Sequence, residues 1–170
     1  MKKWTLEKYN YRKLGWLHDS LKFIGLFAAL FVLFRFVIGF SVVDGESMYP
    51  TLRDGEFIVY NRMATDYEIG DIVCLWVPSG HYYIKRVAAV AGDEVDINGG
   101  LVYINGQEIY ETYVSGKTAP EQGAVIYPYT VGKNDVFVMG DNREVSIDSR
   151  SFGEVNKLQI RGKVVFHFGF

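Results

Sequence analysis

The chain has 170 residues, 49% of them hydrophobic and 22% charged, with 18 Lys or Arg against 20 Asp or Glu. That length supports one core at most once a long apolar run is set aside. A single cysteine, Cys74, excludes an intrachain disulfide, and three scattered histidines (His18, His81, His167) offer no metal-ligand spacing, so neither metal nor cofactor is expected.

The near-neutral total conceals a division by position. Residues 1–22 carry six basic residues, Lys2, Lys3, Lys8, Arg12, Lys13 and Lys22, against two acids, and the remaining chain carries 12 against 18. Beyond this head the basic residues are scattered rather than striped, which argues against nucleic acid as a partner. Residues 23–40, FIGLFAALFVLFRFVIGF, are uncharged apart from Arg35. As a helix rising ~1.5 Å per residue they would extend ~27 Å, close to the hydrocarbon thickness of a lipid bilayer. Arg35 lies near the carboxyl end of the run, where its stem can carry the guanidinium to the interface. Lys and Arg stay on the cytoplasmic side. The expected organisation is therefore a single-pass cell-membrane protein: a basic cytoplasmic tail over 1–22, a transmembrane anchor over 23–40 and an extracytoplasmic body over 41–170. No small-x-small site follows the run, only SVVDGESMYP, so the anchor is expected to remain uncleaved.

After residue 41 the pattern changes to short runs rich in β-branched and aromatic residues, separated by Gly, Asn, Asp and Pro. Strands are expected at 56–62, 71–77, 82–90, 94–97, 101–104, 107–110, 124–129, 135–140 and 163–168. Asn105-Gly106, between LVYI and QEIY, predicts a tight hairpin. The body is thus all-β. Cys74, inside DIVCLWVP, is expected to be a buried, inert thiol. VSGKTAPEQGA, residues 114–124, predicts a surface excursion or flexible flap. The aromatic end VVFHFGF is either a last core strand, the favoured reading, or a patch that meets lipid.

Three stretches stand out chemically. GESMYPTL, residues 45–52, places Ser47 in a turn. His81 reads as a surface residue, so a serine nucleophile would need a lysine as its base. Only about one lysine in a thousand is neutral near neutral pH, so such a base must be desolvated without a carboxylate partner. Lys85, in YYIKRVAAV, alternates with Arg86 across the two faces of a strand, and both cannot face solvent. It is either an edge-strand lysine whose head reaches water or a buried base. GDNREVSIDSR, residues 140–150, packs charges and two serines around a turn, and by composition reads as a solvated loop.

SMYPTL, YYIKRVAAVAGD and GDNREVSIDSR, in this order behind an apolar anchor, resemble the three motifs of the bacterial type I signal peptidases, particularly the shorter enzymes of Gram-positive bacteria. The resemblance covers nearly the whole chain. It implies a signal-peptidase-like β-domain of antiparallel sheets and a Ser-Lys serine endopeptidase acting on secretory preproteins with small residues before the cleavage site. It further implies Ser47 as nucleophile, Lys85 as general base, and Ser146 as the hydroxyl that orients the amine. Asp148 and Arg150 fall on a structural ion pair, and Asp141, Asn142 and Arg143 shape the same loop. Substrate would lie along Val43 and Tyr83-Ile84, with Met48 and Leu52 lining the pocket for small side chains. Two positions depart from the pattern. Gly45 replaces a serine that supplies a second oxyanion donor in Gram-negative relatives, and Ala91 replaces a proline. A non-catalytic anchored β-module that chaperones surface or pilin proteins is the alternative reading.

Overall fold

The structure, a computed structural model, describes residues 3–78, 80–121 and 125–169. It divides into two compact units, one up to Val37 and one from Ile38 onward. The first is a helix, α1 (Lys3–Val32), that continues as a π-helical turn over Leu33–Val37. Within it, His18–Val37 has a mean hydropathy of 2.0 and no buried part, long and apolar enough to cross a membrane. The helix therefore starts well before residue 23 and ends before residue 40. Ile38–Val42 instead forms a strand, β1, antiparallel to β2 (Phe57–Asn61). Apolar content could not locate this exit, because Phe, Val and Ile suit a paired strand as well as a lipid-facing helix.

The second unit continues with β3 (Ile72–Trp76), β4 (Tyr82–Val90), β5 (Glu94–Asn98), β6 (Leu101–Ile104), β7 (Gln107–Glu108), β8 (Tyr129–Thr130) and β9 (Asp135–Met139). A short helix, α2 (Ser149–Phe152), precedes β10 (Val155–Asn156) and β11 (Ile160–Phe168). One sheet has the order β1-β2-β11-β3-β4-β9-β10, the other β7-β6-β5-β8. Every strand pairing is antiparallel, so the all-β expectation holds for the body.

Alternation accounts for the smaller sheet: Val95 and Ile97 of β5 and Val102 and Ile104 of β6 are buried, and their neighbours are not. Asn105 and Gly106 turn this chain back with φ of 53° and 75°, as their sequence predicts. β9 is apolar on both faces for a different reason. Val136 and Val138 pack into one hydrophobic cluster and Phe137 and Met139 into another, so the strand separates two cores.

Several expected strands differ. QEIY keeps only Gln107–Glu108 as strand, and of residues 124–129 only Tyr129 is strand, since Pro128 lacks the N–H a ladder needs. Ala124 lies outside the described residues. Residues 114–121 are not a free excursion. Ser115 N donates to the Asp141 carbonyl at 2.8 Å, Arg143 N donates to the Ser115 carbonyl at 2.9 Å, and Thr118 is buried. Hydrogen-bond partners far along the chain secure this segment, and composition does not reveal them. Of VVFHFGF, Val164–Phe168 end β11, and Phe170 lies outside the described residues; Val165 and Phe166 are exposed and Phe168 stacks on Phe57 at 5.5 Å, so the segment is a strand end rather than core.

Candidate active site

The turn after β1 is fixed from below. Met48 and Leu52 are buried in an apolar cluster with Val43, Ile58, Tyr60 and Cys74. Leu52 N donates to the Met48 carbonyl at 2.9 Å, and Gly45, at φ +86°, donates its N–H to Asp54 Oδ1 at 2.8 Å. Glycine is suited to that left-handed conformation. The Ser47 N–H has no hydrogen-bond partner among the described residues, and the Ser47 carbonyl accepts from Asn142 N at 3.1 Å.

Lys85 arrives from the facing strand. Its β4 neighbours pair with β3 on one side, while β9 joins the other side only from Arg86. The side chain is 1% exposed, its Nζ lies 2.7 Å from Ser47 Oγ, and the Ile84 carbonyl lies at 3.2 Å. Burial lowers its pKa from 10.5 to about 8; Asp148 and Asp141 pull it back up and Arg150 pushes it down. Among the described residues no carboxylate reaches ion-pair distance of this amine. The nearby acids are held by arginines instead.

Asp148 is fully buried and receives Arg150 Nε and Nη2, each at 2.8 Å, while its Oδ2 also accepts Gly140 N at 2.9 Å. It caps α2 as well, accepting from Arg150 N. Asp141 receives the fork of Arg86 at 2.8 and 2.6 Å and Thr51 Oγ1 at 2.5 Å. Arg143 donates to the Gly140 carbonyl, to Thr118 and to Glu111. The expected solvated loop is therefore largely a buried network, in which Asp141, Arg143, Asp148 and Arg150 each have a counter-charge and, of the charged residues, only Glu144 is exposed. Arg86, Thr51, Glu111 and Thr118 went unassigned in the sequence. Thr51 and Arg86 stand inside two of the motifs, but nothing local marks their partner Asp141.

Ser146 Oγ is buried and makes no hydrogen bond to the amine or to any other described group. It packs where Gly140 has no side chain; a Cβ there would overlap Ser146 and come 2.5 Å from the Ser47 carbonyl.

Ser47 and Lys85 open on a cleft of about 430 Å³. Val42 and Val43 form one side, Tyr82, Tyr83 and Ile84 the other, and Met48 and Cys74 lie at its base. Leu52 does not reach it: the side chain is 0% exposed and supports the turn from within the core. Cys74 is buried, as expected, and desolvation pushes its thiol up to about 12.

The signal peptidase, peptidase S26 family model matches residues 16–169. The chain belongs to that family. It is a signal-peptidase-type serine protease. Signal peptidase IB of Staphylococcus aureus is 36% identical over 84% of this chain and 83% of its own length. Signal peptidase I of Bacillus amyloliquefaciens is 38% identical over 95% of this chain and 93% of its own. A solved signal peptidase I from Enterococcus faecalis, 28% identical, aligns with 59% of this S26 peptidase and 97% of that chain at a TM-score of 0.48.

Proposed function

We propose that this peptidase removes signal peptides from secretory preproteins with a Ser47-Lys85 dyad, anchored in the cell membrane by α1 with its body on the extracytoplasmic side. The observation that carries the dyad is a buried amine, free of any carboxylate partner, 2.7 Å from a turn serine. Neutral Lys85 Nζ accepts the Ser47 proton as Oγ attacks the scissile carbonyl, then returns it to the leaving amine of the mature protein. Water, deprotonated by the same amine, releases the signal peptide from the acyl-enzyme. The unpartnered Ser47 N–H is the donor for the oxyanion. Gly45 supplies no side-chain donor, and its own N–H is engaged by Asp54.

Substrate enters extended. Tyr83-Ile84 on one wall offer main chain to the peptide, since β9 leaves Tyr82–Lys85 uncovered, whereas Val43 on the other wall bounds the cleft without free main chain, its N–H donating to the Glu56 carbonyl and its carbonyl accepting from Gly55 N. The shallow apolar base around Met48 admits alanine-like side chains and rejects large ones. Ser146, buried and unpartnered beside the Ser47 turn, is the hydroxyl available to steer the amine, and the Asp148-Arg150 and Asp141-Arg86 pairs hold the loops that carry it. A module that only docked surface proteins would have no use for a desolvated amine against a hydroxyl. The test is cleavage of a preprotein by the detergent-solubilised full chain. Ser47→Ala and Lys85→Ala should each abolish it with the fold intact, and retained cleavage by either variant refutes the dyad.

A further inference from the structure

Two arginines on the cleft wall take no part in the reaction just described. Arg62 follows β2, and its Nε donates to the Ile38 carbonyl at 3.3 Å, where β1 begins. Its guanidinium lies 5.2 Å from the centre of the Tyr60 ring. That ring is itself fixed, because Gly39 and Gly162 on the two flanking strands leave it the space a Cβ would take. Arg161, on β11, lies 5.8 Å from the Tyr82 ring. Both arginines and both tyrosines line the same cleft as Ser47 and Lys85.

Charge separates these two from the rest of the site. Arg86, Arg143 and Arg150 are each paired with a carboxylate. Among the described residues Arg62 and Arg161 have none within ion-pair distance. Asp44 is the acid on the cleft wall, and it stands beside Val43 at the dyad end. The distal end therefore holds two solvent-exposed positive charges on one stretch of the cleft wall, with no carboxylate of their own to offset their field.

Spacing along each strand sets the scale of their separation from the dyad. Ile38, which Arg62 touches, is five residues before Val43 along β1, and Tyr82 is three residues before Lys85 along β4. At ~3.3 Å per residue the arginines lie roughly 10–16 Å from the dyad. The apolar base that takes the small residues before the cut lies between, so the arginines face the signal-peptide side of the substrate, roughly four to six positions before the cut.

We propose that Arg62 and Arg161 form a distal carboxylate-binding subsite that reads an Asp or Glu side chain in the signal peptide upstream of the small-residue pocket. The subsite rests on the proposed substrate class and refines its specificity. A guanidinium held on an aromatic platform suits a carboxylate, because its planar fork is already oriented.

The test uses the full chain in neutral detergent and one preprotein carrying Ala, Glu or Lys at each of those positions. Glu should raise kcat/KM about fivefold over Ala at low salt, through KM, and the gain should fade at high salt. The charge-reversed variant Arg62→Glu/Arg161→Glu should rank Lys above Glu. Should it not fold, Arg62→Gln/Arg161→Gln should bring the Glu:Ala ratio to about one. Identical ranking of the three substrates by wild type and variant overturns the proposal. So does an unchanged ranking accompanied by loss of binding to phosphatidylglycerol but not phosphatidylcholine vesicles, which would assign the arginines to lipid phosphate. Failure of wild type to cut even the Ala substrate would instead count against the signal-peptidase reading itself.

Discussion

Arg86 holds Asp141 through both nitrogens of its fork, Nε to Oδ1 at 2.8 Å and Nη2 to Oδ2 at 2.6 Å. The arginine follows the buried lysine in the chain, and the acid begins the loop that contacts the Ser47 carbonyl through Asn142. Thr51 of the Ser47 turn donates to the same carboxylate. One ion pair thus ties together the strand and both loops. It also occupies an acid that would otherwise be free to hold Lys85 in its charged form.

Removing one partner should therefore be costly twice over. Arg86→Met leaves Asp141, 0% exposed, without its counter-charge, and breaking such a pair costs about 3–5 kcal/mol. Urea unfolding should show that loss. In any folded fraction the freed carboxylate should raise the Lys85 pKa and move the rate profile to higher pH.

The wild-type profile follows from the lysine. With its pKa lowered to about 8, Lys85 is mostly protonated at pH 6 and cannot accept the serine proton. kcat/KM should climb about tenfold per pH unit below that value and level off above it. Lys85→Arg should be inactive throughout, since guanidinium does not deprotonate. A flat profile from pH 6 to 10 would contradict an amine base.

The same residue should be a stability cost. Below pH 8 it is charged in both folded and unfolded chains, so the penalty of burying the cation is fully present. Between about 8 and 10.5 the folded chain releases the proton and the unfolded chain keeps it, so the stability contributed by this group rises with pH. Lys85→Met should stabilise the fold by about 3 kcal/mol at pH 7 and by progressively less toward pH 10.5, read from unfolding curves at several pH values.

Gly140→Ala tests the close approach behind Ser47. The added Cβ would meet the Ser146 side chain and lie 2.5 Å from the Ser47 carbonyl, so the loop or the turn must shift. A displacement of ~1 Å at a nucleophile costs on the order of a hundredfold. Cleavage at wild-type rate would mean that this packing does not position the serine.

The folding class and the chemical inventory were legible without coordinates. Alternating runs such as EVDI and LVYI, the Asn105-Gly106 turn and a basic head before an apolar stretch each signal through neighbours in sequence, and periodicity and turn chemistry are local properties. Ser47, Lys85, Asp148 and Arg150 could be named because their motifs are short. Tertiary structure decided everything that depends on distant partners. It alone turned residues 38–42 from the end of a helix into a strand, by pairing them with 57–61. It put Leu52 in the core and bound residues 114–121 to the loop at 140–150. It also settled which of two adjacent cations met an acid: Arg86 reached Asp141, 55 positions away, while Lys85 was left against a hydroxyl. Composition cannot encode such a choice, because a lysine's proton affinity depends on burial and nearby charge, and both come from residues far off in the chain.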